Sequence, residues 1–312
     1  ALRRHRGVEL TAPGERSVID EIDARPAWDL VVANDARALP TAFRAARGAP
    51  VWADMHEWAP EENAASRVWM LLVGPYMDAL CRRYLPRAAA VTTVGNELAR
   101  LYAARYGIEP PRVVRNAGPF QELKPSATVA GQVRLVHSGI AVPERNIESL
   151  IDAVRELDER FTLDLYLIGP PGFLKRLQDR ARGCDRVRFR EPVATSDLPA
   201  TLNAYDLGVY LLPIRSINHR HMLPNKFFDF VQARIGMVFG PSEETNRLIT
   251  DHGLGVVTPG WHASHLVEAL QALTPDHIRG FKEAADRAAR ELSSEADQAV
   301  QRDIVARLLE GA

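Results

Sequence analysis

Short apolar runs alternate along most of the chain with stretches in which apolar residues recur every three or four positions. Period-two or continuous apolar runs of a few residues read as strands, and the 3.6-residue period reads as helix. Strands are expected at Val8–Leu10, Trp28–Ala33, Ala49–Ala53, Ala89–Val94 and Arg112–Arg115. Between them, helical patterns cover Leu39–Arg47, a long stretch from Ala64 to Leu85, and Asn96–Tyr106. From Pro119 to Gly131 the periodicity fails, and Pro, Ser, Thr and Gly cluster as in an interdomain linker.

The rhythm restarts beyond Gly131. Strands are expected at Val133–Ser138, Thr162–Ile168, Val187–Arg190, Leu207–Leu212 and Met237–Phe239. Helices are expected at Asn146–Leu157, Leu198–Tyr205, from Asn225, at Glu243–His252, Asp276–Glu291 and Glu295–Leu309. Strand–helix alternation of this kind makes parallel, doubly wound sheets. A length of 312 residues suits two such domains. The chain therefore divides into residues 1–120, residues 131–292, and a closing helix over 293–312 that returns toward the first domain. Ala1–Gly7 reads as the end of a helix already under way, so the first domain is expected to lack its true N-terminus.

Composition narrows the function classes. A net charge of -1 leaves no electrostatic footprint for nucleic acid. No apolar run approaches the ~20 residues a membrane-spanning helix needs. The two cysteines, Cys81 and Cys184, have no metal or redox spacing and imply a reducing, cytoplasmic setting. Arg82, Arg83 and Arg87, at a helix end, read first as groups facing water, with peripheral contact at the inner membrane face as the alternative. Of 39 basic residues only Lys124, Lys175, Lys226 and Lys282 are lysines, so each stands against the local bias.

Lys226 lies in the most informative segment, Leu223-Pro224-Asn225-Lys226-Phe227-Phe228-Asp229-Phe230. Pro224-Asn225 opens a helix just beyond a strand and an irregular loop. A helix N-terminus offers unpaired N–H groups and a partial positive charge to a phosphate. A lysine in the first turn opposes the helix dipole, which an anion bound nearby would offset. Asp229, one turn on, is placed to accept hydrogen bonds from a diol such as ribose. A solvated lysine and an ordinary helix-start aspartate are the plainer alternative.

This segment, continued by Ala233-Arg234-Ile235-Gly236-Met237-Val238, resembles the donor-site region of glycosyltransferase family 4. The resemblance covers about Trp28 to Gly260. It implies the GT-B architecture: an α/β chain of two Rossmann-like, doubly wound parallel-sheet domains facing a cleft. It also implies a nucleoside diphosphate sugar as donor, a hydroxyl acceptor, retention at the anomeric carbon, and neither a cofactor nor a metal. By the resemblance, Lys226 contacts the diphosphate and Asp229 the ribose. Asp229 stands where the family usually has glutamate, and His221 occupies the place of a further acid, so His221 joins Pro224, Asn225 and Asp229 as a donor-binding candidate. His137-Ser138-Gly139, followed by Pro143-Glu144-Arg145-Asn146, resembles the first strand–loop–helix of the same domain. Gly139 would admit the donor close to the backbone, and Arg145 would hold phosphate bidentately. Ile140 replaces the arginine common after that glycine.

In the first half, Val31-Val32-Ala33-Asn34-Asp35 and Trp52-Ala53-Asp54-Met55-His56-Glu57 resemble strand ends of the family's acceptor-side domain. His56 would then serve the donor sugar or the leaving phosphate, with Asn34, Asp35 and Glu57 nearer the acceptor. His56, Arg145 and Lys226 are thus the expected catalytic groups. The acceptor class stays open among a glycan, a lipid-linked saccharide and a small natural product. A nucleotide-sugar 2-epimerase of the same topology, or a non-catalytic sugar- or nucleotide-binding partner subunit, is the alternative. His219 and His221 lack the convergent ligands of a metal site. Gly169-Pro170-Pro171-Gly172 is no phosphate-loop motif.

Overall fold

A computed structural model describes residues 20–310. The expected strand Val8–Leu10 and the opening residues Ala1–Gly7 lie outside them. The chain groups into two compact units. Of the described residues, the first comprises 20–115, 215–221 and 297–310; the second comprises 116–214 and 222–296.

In the first unit, β1 (Val31–Asn34), β2 (Val51–Met55), β3 (Ala90–Thr93) and β4 (Arg112–Val113) form a parallel sheet in that spatial order. Val32 pairs with Trp52, Asn34 with Asp54, and Asp54 with Thr92. Strand residues alternate faces. Ala33, Val51, Ala53 and Met55 accordingly enter one core, together with Leu39, Met77, Leu80 and Tyr102 from helices α1 (Asp35–Ala46), α2 (Gly74–Tyr84) and α3 (Asn96–Tyr106). Val32, Asn34, Trp52 and Asp54 share the opposite face.

Two expectations shift here. The helix expected at Leu39 already begins at Asp35, which takes up a left-handed conformation (φ 62°) at the turn from β1. The long helix expected over Ala64–Leu85 is a π-helical turn at Trp69–Val73 followed by α2. Gly74, pressed against the Pro60 carbonyl, and Pro75, which lacks an N–H, fall at that junction.

The second unit carries a six-stranded parallel sheet of order β10-β9-β8-β5-β6-β7. Its strands are β5 (Val133–Ile140), β6 (Phe161–Ile168), β7 (Val187–Arg190), β8 (Leu207–Tyr210), β9 (Gly236–Phe239) and β10 (Gly255–Val257). The helices are α4 (Ile147–Glu156), α5 (Pro171–Ala181), α6 (Leu198–Leu202), α8 (Asn225–Gln232), α9 (Glu243–His252), α10 (Ala263–Gln271) and α11 (Pro275–Ala288). The short α7 (Ile217–Arg220) belongs to the first unit, as does α12 (Ser294–Glu310) from Asp297 onward. Both sheet faces are covered, and period two assigns the residues. Leu135, Val209 and Val238 enter a core with α4, α5 and α10, while Val136, Tyr210, Met237 and Phe239 enter one with α8 and α9. In α4, Ile147, Leu150, Ile151 and Val154 repeat at i, i+3, i+4 and i+7, and all four are buried. Gly208 lets the Phe230 ring lie against β8, in space a Cβ would occupy.

The stretch read as a linker lacks regular structure but is fastened to the second unit. Gln121 accepts from Arg234 Nη2 (2.7 Å) and its N–H donates to Gln232 Oε1 (3.0 Å). Ser126 Oγ accepts from Lys282 Nζ at 2.9 Å. Lys282 is almost wholly buried and also donates to Asp206, which Arg134 holds through both Nε and Nη2. Among the described residues, no helix is long and apolar enough to cross a membrane.

Candidate functional site

In the second sheet the strand order reverses between β5 and β8. The chain leaves neighbouring strands toward opposite faces at such a point, which opens a crevice at their carboxyl ends. Four of the expected donor-side residues meet there. Gly139 ends β5 with φ 127°, and a Cβ at that position would collide with Lys226 Nζ. Lys226, in the first turn of α8, donates to the Ser138 carbonyl and lies 5.3 Å from the centre of the Tyr210 ring. Arg145 ends a 3-10 turn after β5 and donates through Nη1 to Tyr210 Oη. Asn146 ties that turn to the end of β8 by donating to the carbonyls of Leu211 (3.2 Å) and Trp261 (2.8 Å). Pro224 precedes α8 in an extended conformation, and no side chain caps the helix.

Burial displaces the protonation equilibria of the groups in this crevice. Burial, aided by the neighbouring Arg145, pushes Lys226 down to about 8. Burial pushes Asp229 up to about 6, against the pull of Lys226. Beneath them His137 is fully enclosed, stacks on Tyr210 at 5.9 Å, and lies within hydrogen-bonding distance of the Val209 carbonyl through Nδ1 (2.8 Å). Burial, with Lys226 nearby, lowers it to about 3, so it is neutral and adds no competing charge. Two cations and the free N–H groups of α8 thus converge, with one carboxylate a turn away. A diphosphate has the charge and the acceptors to match. Tyr210 was not singled out in the sequence, because Leu207–Leu212 read simply as a buried strand, and His137 entered only as part of a strand–loop motif, without a role of its own.

The acceptor-side candidates lie in the first unit, at the carboxyl ends of β1 and β2. Asp35 Oδ1 accepts the His56 backbone N–H at 2.9 Å. His56 Nε2 lies 3.1 Å from Asp54 Oδ2. Asp54 Oδ1 accepts from Thr92 Oγ1, which in turn accepts from Trp52 Nε1 at 2.8 Å. The hydrogen bond with Asp54 raises the His56 pKa; burial opposes this, and the charges of Asp54, Asp35 and Glu57 reinforce it. Glu57 is exposed and accepts from Asn218 Nδ2 at 3.3 Å, while its carbonyl accepts from Tyr102 Oη. Asn34 turns to the other sheet face, where it joins Asp54, Trp52 and Arg302 around a cavity of about 620 Å³. His221 follows α7 and groups with the first unit. Asp54 was not picked from sequence, although its i, i+2 spacing from His56 at a strand end is visible there.

Two parallel-sheet units, the second with a cation-lined switch point, define a protein of the GT-B class. Residues 2–117 match the model of the glycosyl transferase 4-like domain, and the chain has the fold of solved GT-B glycosyltransferases. No curated protein matches it in sequence. A sucrose-phosphate synthase from Thermosynechococcus elongatus superposes with a TM-score of 0.75 at 15% identity, over 98% of this chain and 80% of that one. HepE of Anabaena, in complex with UDP and glucose, gives 0.71 at 17% identity, over 94% and 80%. A glycosyltransferase from Rickettsia africae gives 0.70 at 14%, over 100% and 84%. Likeness at these identities is likeness of fold.

Proposed function

We propose that the chain transfers a sugar from a nucleoside diphosphate sugar to a hydroxyl acceptor, with retention at the anomeric carbon and without a metal. The observation that carries this reading is the convergence of Gly139, Arg145, Lys226 and the uncapped start of α8 at the switch point of the second sheet. Negative charge grows on the departing diphosphate as the glycosidic bond breaks. Preorganised cations and backbone dipoles stabilise that charge without reorganising in the transition state. Lys226 and Arg145 hold the phosphates, Asp229 accepts from the ribose hydroxyls, and Pro224 and Asn225 set the helix start beside them. By resemblance, His56 serves the donor sugar or leaving phosphate, with Asn34, Asp35 and Glu57 toward the acceptor and His221 on the donor side. The acceptor is a glycan, a lipid-linked saccharide or a small molecule, met in the cytoplasm or at the inner membrane face. UDP is the first nucleotide to test, because solved structures of HepE hold UDP and UDP-glucose.

Calorimetric titration with UDP, GDP, ADP, CMP and dTDP tests the site. One diphosphate is expected to bind selectively, and Lys226→Ala to weaken it by about 1.5–3 kcal/mol, the range for a hydrogen bond to a charged group. Equal binding by wild type and variant would remove the donor site from this helix.

A further inference from the structure

We propose that Asp54 is the positioning residue for His56: it fixes the ring through Nε2 and keeps it in the form that donates from both nitrogens. This rests on the reading that His56 serves the donor sugar or leaving phosphate.

The geometry is a short chain of hydrogen bonds across one sheet face. Trp52 and Asp54 are two apart on β2 and so point the same way, and Thr92 on β3 stands in register with Asp54. The Trp52 indole N–H donates to Thr92 Oγ1, which leaves the hydroxyl hydrogen for Asp54 Oδ1. That bond orients the carboxylate and turns Oδ2 toward His56 Nε2 at 3.1 Å. The His56 backbone is pinned separately, by its N–H to Asp35 Oδ1. Side chain and main chain are therefore held by two different carboxylates from two different elements.

The chemistry follows from the ring. A neutral imidazole that gives its one N–H to a carboxylate has only an acceptor nitrogen left. An imidazolium gives one N–H to the carboxylate and retains a second donor. Only that form strengthens a bond to an oxygen that is gaining negative charge. Among the described residues, the charged groups that act on His56 are Asp54 of β2, Asp35 at the start of α1, and Glu57 in the loop that follows β2. All three are acids and all favour the imidazolium. Of the three, only Asp54 also hydrogen-bonds the ring, and it is itself half-buried. Burial works against the Asp54 charge, but the bonds from His56 and Thr92 outweigh it and hold its pKa below the usual carboxylate value. Asp54 is thus ionised wherever His56 titrates. His56 remains charged above its ordinary pKa of about 6.5 and loses its proton only as pH rises through the raised value.

The test combines histidine-resolved NMR titration with the pH profile of UDP-glucose hydrolysis by the full chain. Asp54→Asn keeps the shape and removes the charge. It is expected to lower the His56 pKa by about one unit or more, the usual effect of an adjacent opposite charge. The alkaline limb of the hydrolysis profile should move down by the same amount. Thr92→Val, which loosens the carboxylate and leaves it charged, should shift both by less. The His56 resonance is assigned by its loss in His56→Gln, and thermal melting checks that each variant is folded. An unmoved His56 titration in folded Asp54→Asn overturns the proposal. So does a moved titration with an unmoved rate profile in an enzyme that His56→Gln inactivates. If His56→Gln hydrolyses UDP-glucose normally, the role of His56 itself falls; a pKa shift in Asp54→Asn would then show that the hydrogen bond is real but serves no reaction.

Discussion

At the scale of single residues, the proposed donor site contains two displaced protonation equilibria. Lys226 is held near 8 by burial and by Arg145, and Asp229 near 6 by burial. A bound pyrophosphate diester favours the ammonium form, so Lys226 should take up a proton as ligand binds near pH 8. Ribose hydroxyls donating to Asp229 favour its carboxylate, so near pH 6 binding should release one. UDP-glucose is the ligand for this measurement, because a diester lacks the phosphate ionisation near pH 6 that would confuse UDP itself. Calorimetry in buffers of different ionisation enthalpy should give uptake of about half a proton or less at pH 8, abolished in Lys226→Met, and the opposite sign near pH 6. Lys226 was legible in the sequence because a lysine at a helix start, in an arginine-rich chain, breaks two habits at once. Lys282 breaks the second habit too, yet its ammonium is consumed by Ser126, Tyr205 and Asp206. Composition marks both lysines, and only the fold shows that Lys282 is enclosed in a network while Lys226 lies at the switch point of the second sheet.

At the scale of elements, β5 and β8 of the second sheet have charged groups at both ends. The carboxyl end carries Arg145 and Lys226, while the amino end carries Arg134, Asp206 and Lys282. The amino-end group is a closed network that joins β5, β8 and α11. Asp206→Ala would leave Lys282 enclosed without a carboxylate and is expected to cost about 3–5 kcal/mol. Lys282→Met should cost less, because Asp206 keeps the paired donors of Arg134. Urea unfolding, read as a shift of midpoint at constant slope, distinguishes the two. Elements with a clean period, such as α4 and β5, were legible from sequence. Helix α5 was not, because Gly169-Pro170-Pro171-Gly172 reads as a turn; Pro171 is instead its first residue, where a missing N–H costs nothing. The π-helical turn at Trp69–Val73 was hidden for another reason: its apolar residues extend the pattern of the helix that follows.

At the scale of the whole molecule, the tandem arrangement of two parallel sheets was legible because the strand–helix rhythm stops and restarts once. The assignment of residues 215–221 to the first unit was not, since nothing in their composition separates them from the loop around them. If the second unit holds the donor, hydrogen exchange with saturating UDP should slow most in three segments. These are Gly139–Asn146, the end of β8 around Tyr210, and the first turns of α8 from Asn225. Protection concentrated instead at the ends of β1 and β2 would move the nucleotide to the first unit.

The division of the chain also bears on its birth at the ribosome. The second unit is drawn from one stretch of sequence with a seven-residue excursion, and it is complete once residue 296 has emerged. The first unit must wait for residues 215–221 and for α12 from Asp297, whose Asp297 and Asp303 bind Arg115 and Arg112. At about 5–20 residues per second, roughly 10–40 s pass between residue 115 and residue 297. Over that interval the earlier-made half exists without the helix that answers two of its arginines. The half translated later is therefore the first that can finish folding.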